Sequence, residues 1–251
     1  MAKESGLGDQ LFIGGYDIGA NVSQINNIST PRATLPGTAI TQSAEARIFG
    51  LRDASAEFTA YFDPAVGASH EKLRTLPLTD TQLMYLHGTT LGNEAFSMVG
   101  KQLNYDGTRA DDGSFMFGVS CQSNGFGGDW GNQLTAGKRS DTVATNGTGV
   151  NYATAANPTS AAFGFEAYLQ VFSFTGTSVT IQLQDSADNV SFANLTDGAF
   201  TVVSAAPTFE RIQSSSATAT VRQYVRVITT GTFSQCSFAV TFTRNENLRV
   251  I

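Results

Sequence analysis

Charge is scarce in this chain: Asp, Glu, Lys and Arg make up 14% of its 251 residues, and the formal net charge is −6. Affinity for a phosphate backbone rests on cations that neutralise it, so the balance argues against gripping nucleic acid. It does not argue against DNA passing nearby without sticking. Long apolar runs are missing too. None approaches the ~20 residues a membrane-spanning helix needs, so no membrane partner is expected. The opening MAKESGLGDQ is polar, and no signal peptide is expected from it. Histidine occurs twice, at His70 and His87, neither with a Cys or second His at metal-ligating spacing. A G-x-S-x-G elbow is absent, as is any internal repeat of fixed period. No catalytic, cofactor-binding or metal-ligating residue is assigned, and neither enzymatic activity nor a cofactor is expected.

Cysteine is equally sparse. Cys121 follows Phe115, Phe117 and Val119 at alternate positions, and Cys236 precedes Phe238, Val240 and Phe242 in the same way. Each thiol therefore falls on the apolar face of a strand. Two buried free thiols in a chain made in a reducing cytosol is the reading, not a disulfide. The Asn-x-Ser/Thr sequons at Asn21, Asn27, Asn146, Asn189 and Asn194 then carry no meaning as glycosylation sites.

Gly, Ser, Thr, Asn and Ala are abundant instead. That composition suits a subunit that buries much of its exterior against neighbours, and equally a β-rich protein with many turns. The charge is uneven: up to Gly137 there are eight Lys/Arg against fourteen Asp/Glu, and from Lys138 onward seven of each. The Thr-, Asn- and Gly-rich run 138–160 has little to bury and marks a boundary. Two modules are expected, 1–137 and 161–251, with 138–160 linking them.

The first module turns on Ala39 to Pro64. A polar extended arm leads to a tight corner at Phe49-Gly50-Leu51. From Ala54 to Phe62, Ala54, Ala56, Phe58, Ala60 and Phe62 then alternate with Ser55, Glu57, Thr59 and Tyr61. A period of two is that of a half-buried strand, and Asp63-Pro64 stops it. Arms at Met1–Gln10 and Thr30–Arg47 bury little of themselves; they are surface loops or they order only between subunits. Ser69 to Leu76 reads as one helix, with Ser69 as cap, Glu71 at the positive end, Leu73 and Leu76 inward, and Pro77 as stop. Leu11–Ile13, Thr81–Leu86, Ala95–Leu103 and Phe115–Gln122 read as strands, with Asp106-Gly107 and Asp112-Gly113 as turns.

The glycine-rich GFGGDWG at Gly125–Gly131 has neither a phosphate-loop nor a dinucleotide-loop ending. It reads as a turn with Trp130 as a packing anchor. The acidic run Asp106 to Asp112 lacks the ligand pattern of a calcium loop and reads as a solvated hairpin. In the second module Phe165–Phe174, Val179–Leu183, Phe200–Val203, Phe209–Ile212, Val221–Ile228 and Cys236–Phe242 alternate at sandwich-like spacing. Arg222, Tyr224 and Arg226 on one strand offer either a sugar or phosphate contact or simply a solvated face.

The arm, the FGLRD corner, the small-and-aromatic strand and the closing FDP together resemble the core motif of bacteriophage major tail proteins, the tail-tube subunits of long-tailed phages. Gly14 to Ser29 and Lys101 to Gly125 fit the same resemblance, which covers roughly the first half of the chain. Ile181 to Leu195 with Arg222 to Val227 is similar to jelly-roll modules of the discoidin or galactose-binding type. The resemblance implies an all-β fold with one short helix: a tail-tube-like sandwich or barrel followed by a second antiparallel sandwich as decoration. It implies a virion structural protein, assembled in the host cytoplasm, whose partners are copies of itself in stacked, hexameric rings and other tail proteins. Genomic DNA would pass through the tube without specific binding, along a channel lined by acids such as Glu57 and those of Asp106–Asp112. The alternative is a virion-surface glycan-binding or adhesion protein whose C-terminal module meets a host-surface glycan, or a head-decoration protein.

Overall fold

A computed structural model of the chain describes residues 5–155 and 157–249. It is all-β, with seventeen strands, one α-helix and one 3-10 turn among the described residues. The strands are β1 Gln10–Ile13, β2 Tyr16–Asp17, β3 Val22–Ser29, β4 Arg32–Pro36, β5 Arg47–Arg52 and β6 Ser55–Tyr61. Helix α1, Ser69–Leu73, follows, and then β7 Thr81–Leu86, β8 Glu94–Gln102, β9 Asp106–Arg109, β10 Phe115–Ser123 and β11 Asp129–Gln133. The last six are β12 Arg139–Asp141, β13 Val150–Asn151, β14 Phe165–Ser186, β15 Ala193–Ala199, β16 Thr208–Gln213 and β17 Tyr224–Arg244. The sheets are antiparallel, and no closed barrel forms among the described residues.

The chain packs as two compact units that interleave in sequence. Described residues within Met1–Ala20, Gln82–Ser97 and Asp129–Ile251 form the larger, and Asn21–Thr81 with Met98–Gly128 the smaller. The run 138–160 falls inside the larger unit, where β12 and β13 pair with β17. Residues 1–4 of the expected N-terminal arm lie outside the described residues. Its remainder ends in β1, where Leu11 is buried and pairs with Tyr85 of β7.

In the larger unit β14 and β17 run against each other from Phe165↔Arg244 to Ser186↔Tyr224. The separate strands expected at 165–174 and 179–183, and at 221–228 and 236–242, are thus two long ones. The gaps between the expected segments hold bulges instead of ends, at Val171/Ser173 and around Gly176. Gly231, at φ 130°, is required there, because a Cβ would stand 2.4 Å from the Ser178 carbonyl oxygen. Val179, Ile181 and Leu183 are fully buried with Val225, Val227, Phe238 and Val240, as their alternation demands. Phe200–Val203 is no strand beyond one bridge from Val203 to Val179, while β15 lies where no strand is expected. Both cysteines are buried free thiols, and burial pushes each up to about 12.

In the smaller unit β10 lies between β6 and, along its other edge, β9 and the end of β8, while β3 closes the far side of β6. Ala54, Ala56, Phe58 and Ala60 are buried and Glu57 and Tyr61 exposed, as the alternation requires, although Phe62 is half-open. Helix α1 is only five residues long. Ser69 does not cap it; its hydroxyl is buried and donates to the Tyr61 carbonyl at 2.7 Å. Leu73 is buried, but Leu76 adopts φ 42° outside the helix and is exposed.

Candidate functional site

Three sequence expectations fail in one region, and together they define the surface of interest. Phe49-Gly50-Leu51 is not a corner, Thr30–Arg47 is not a plain extended arm, and Asp106-Gly107 is not a turn. Residues 32–52 form a two-stranded ribbon, β4 with β5, that is a sheet of its own. Gly50 fits there because a Cβ would press on the Ala33 methyl at 3.2 Å. The base is closed by Asp53, whose backbone N–H donates to the Pro31 carbonyl at 3.0 Å. The Asp53 carboxylate accepts from Gln122 Nε2 and Ser123 Oγ, both at 2.9 Å. These bonds hold its pKa below the usual aspartate value.

The ribbon is apolar and uncovered. Leu35 is 53% exposed, Ile48 60%, Phe49 71%, Leu51 87% and Ile40 100%. Scattered exposed apolar residues are ordinary, but five on one short ribbon form a patch of the kind that marks contact surfaces. Arg47 and Phe49 share one face by parity, and Arg32 lies over the Phe49 ring at 5.5 Å; the register shift opposite Ala33 puts Leu51 on the other face. Leu35 and Ile48 pair directly on the other face.

The sheet of the same unit presents a hydrophilic face opposite its core. Asn26, Glu57, Thr59, Asn104, Asp106, Thr108, Met116, Gly118 and Ser120 line a shallow groove of about 320 Å³ there. Asn26 Nδ2 donates to Thr59 Oγ1 at 3.0 Å, and Ser120 N donates to Asn104 Oδ1 at 2.7 Å. This lining brings Glu57 and Asp106 together and contains no lysine or arginine. Asp106 gets there because Asp106–Arg109 is strand β9 on the edge of β10. Gly107 permits that approach, since a Cβ would stand 2.7 Å from the Phe117 ring.

Other singled-out residues are spent within the fold. Arg222 pairs with Asp185 at 2.9 Å. Arg226 stacks on the Phe192 ring at 3.9 Å and donates to Gln184, and burial lowers its pKa. Tyr224 pairs with Asn151 at the start of β17, so the three do not form one open contact. His70 Nδ1 lies 3.0 Å from the Tyr105 hydroxyl, and His87 Nδ1 3.0 Å from Asp9 Oδ1. Trp130 is in strand β11 and not a turn, half-exposed beside Phe96 at 5.3 Å. Asp112 closes its turn by accepting from Ser114 N at 2.8 Å. Among the described residues no group of three or more His, Cys, Asp or Glu is placed to hold a metal ion. Nor, among them, is any helix long and apolar enough to cross a membrane.

No protein-family model matches the sequence, and no curated protein matches it. Several solved structures align with the chain at low identity and low TM-score. One is the virion of a native gene transfer agent particle, 15% identical, with a TM-score of 0.40, over 52% of this chain and 98% of that one. The Dit (gp 19.1) protein of SPP1, described as a hub adsorption apparatus of phages infecting Gram-positive hosts, is 11% identical, with a TM-score of 0.33, over 93% and 98%. The phage p2 baseplate in its activated conformation is 9% identical, with a TM-score of 0.34, over 96% and 99%.

Proposed function

We propose that the chain is a structural protein of a bacteriophage tail that works by assembling with copies of itself, as a major tail protein forming stacked, hexameric rings. The observation that carries this reading is the β4–β5 ribbon, with five large apolar side chains exposed to water. Leaving such a patch exposed invites association, and a second copy is the partner always present at assembly. The ribbon lies inside the stretch whose FGLRD and FDP residues resemble the tail-tube motif. On this reading the acidic sheet face around Glu57 and Asp106 lines the channel. DNA transits there without being held, since this lining offers no lysine or arginine to neutralise its phosphates. The remaining β-rich part decorates the outside of the virion tail, and assembly takes place in the host cytoplasm. The glycan-binding alternative has no comparable feature behind it, because Arg222 and Arg226 are engaged within the chain.

Excising the ribbon tests this. The full chain is expected to sediment as rings or longer assemblies. A chain with residues 33–51 replaced by a short Gly-Ser link should keep its β circular-dichroism spectrum and sediment as single chains. Equal assembly by both would remove the ribbon from the account.

A further inference from the structure

The ribbon must land somewhere, and the smaller unit offers one surface whose charge, chemistry and backbone match it. Strand β9 is a sheet edge: among the described residues it pairs with β10 alone, and all four of its residues are exposed. Beside it the core of the unit lies open at one end. Phe115 and Phe62 are half-exposed there, with ring centroids 5.3 Å apart. Phe117 stands behind them, 4.7 Å from Phe115 and stacked on Tyr105 at 4.0 Å. His70 closes the cluster, 4.4 Å from Phe62. This is an aromatic ledge with an unpaired strand along its rim.

Charge supplies the complement. Residues 32–52 hold Arg32, Arg47 and Arg52 against Glu45, a net +2. Residues 106–112 hold Asp106, Asp111 and Asp112 against Arg109, a net −2. The arginines stand on the right face of the ribbon: Arg47 shares the face of Phe49, and Arg32 covers Phe49. One face of the ribbon is thus aromatic with a cationic margin, and the ledge is aromatic with an anionic margin.

We infer that the β4–β5 ribbon of one copy docks on strand β9 of a second copy, laying Phe49 on the Phe62–Phe115 ledge, with Arg32 and Arg47 against Asp111 and Asp112. The inference rests on the self-assembly reading and specifies its contact. Pairing along β9 satisfies backbone groups that an exposed edge leaves to water, as in peptide recognition by strand addition. Ribbon and ledge are different surfaces, so the contact is head-to-tail. Each copy then gives an arm and receives one, and repetition closes a ring or extends a stack.

Charge reversal in the full-length protein tests it. R32E/R47E and D111K/D112K each juxtapose like charges, and each should weaken association at least tenfold by sedimentation. The chain carrying all four changes restores opposite signs and should recover most of the loss. D111K alone keeps the Asp112 turn bond and guards against misfolding of the double variant. Hydrogen exchange gives a second readout: amides of 106–109 should gain protection on assembly and lose it in R32E/R47E. Reversed chains that assemble like the parent, a four-change chain no better than either pair, or β9 amides that exchange alike in both states would overturn the contact. With the parent assembled, those results leave the self-assembly reading standing; a parent chain that stays single at every concentration overturns both.

Discussion

Asp53 is the residue on which arm and sheet meet. Its side chain ties β10 residues Gln122 and Ser123 to the strand that leaves the ribbon, and its backbone closes the ribbon's base on Pro31. Because the carboxylate pKa is lowered in the folded chain, the stabilisation is fully present above the usual aspartate range. It is lost as pH falls through the folded-state value. Asp53 is largely solvated, so screening holds the effect to about 1 kcal/mol. Asp53→Asn should therefore lower the melting temperature by a few degrees at pH 7, and the two proteins should melt alike near pH 2. A difference that persists undiminished at pH 2 would assign the effect to packing and not to charge.

At the scale of elements, what the sequence makes legible depends on whether one face meets a core. Ala54, Ala56, Phe58 and Ala60 alternate because β6 is half-buried, so strand and inward face can both be read from residues alone. The same holds for Val179, Ile181 and Leu183 in β14. The ribbon is legible as a peculiar stretch but not as a ribbon. Its apolar residues face water on both sides, so they follow no burial period, and Pro36-Gly37 speaks of a break where the chain turns back on itself. Strand β9 is hidden for a related reason. Asp106-Gly107 has turn chemistry, yet its glycine is there so that the strand can lie against Phe117. The long β14–β17 pair is hidden because a bulge and a strand end look alike in sequence: both are polar and glycine-bearing. The candidate site therefore emerges where local rules break, while the acids of its sheet face, Glu57 above all, are in view from the first.

At the scale of the whole molecule, sequence order and packing order part company. Residues 129–137 belong with β17 through Asn132↔Phe242 and Gln133↔Thr241, and Leu134 donates its N–H to the Val240 carbonyl. A chain ending at Gly137 would leave β11 without β17 and most of the larger core absent. It should show no cooperative melting of the larger unit and should recover mainly from the insoluble fraction. A soluble, cooperatively melting 1–137 fragment would show that the first half carries a core of its own.

If the chain self-assembles as proposed, its acidic sheet face borders a channel. Cryo-electron microscopy of the purified full-length chain tests that most directly. The predicted result is rings or tubes in which Asn26, Glu57, Thr59, Asp106 and Ser120 face the lumen. Dispersed single chains at every concentration, or a lumen lined mainly by Arg and Lys, would contradict it.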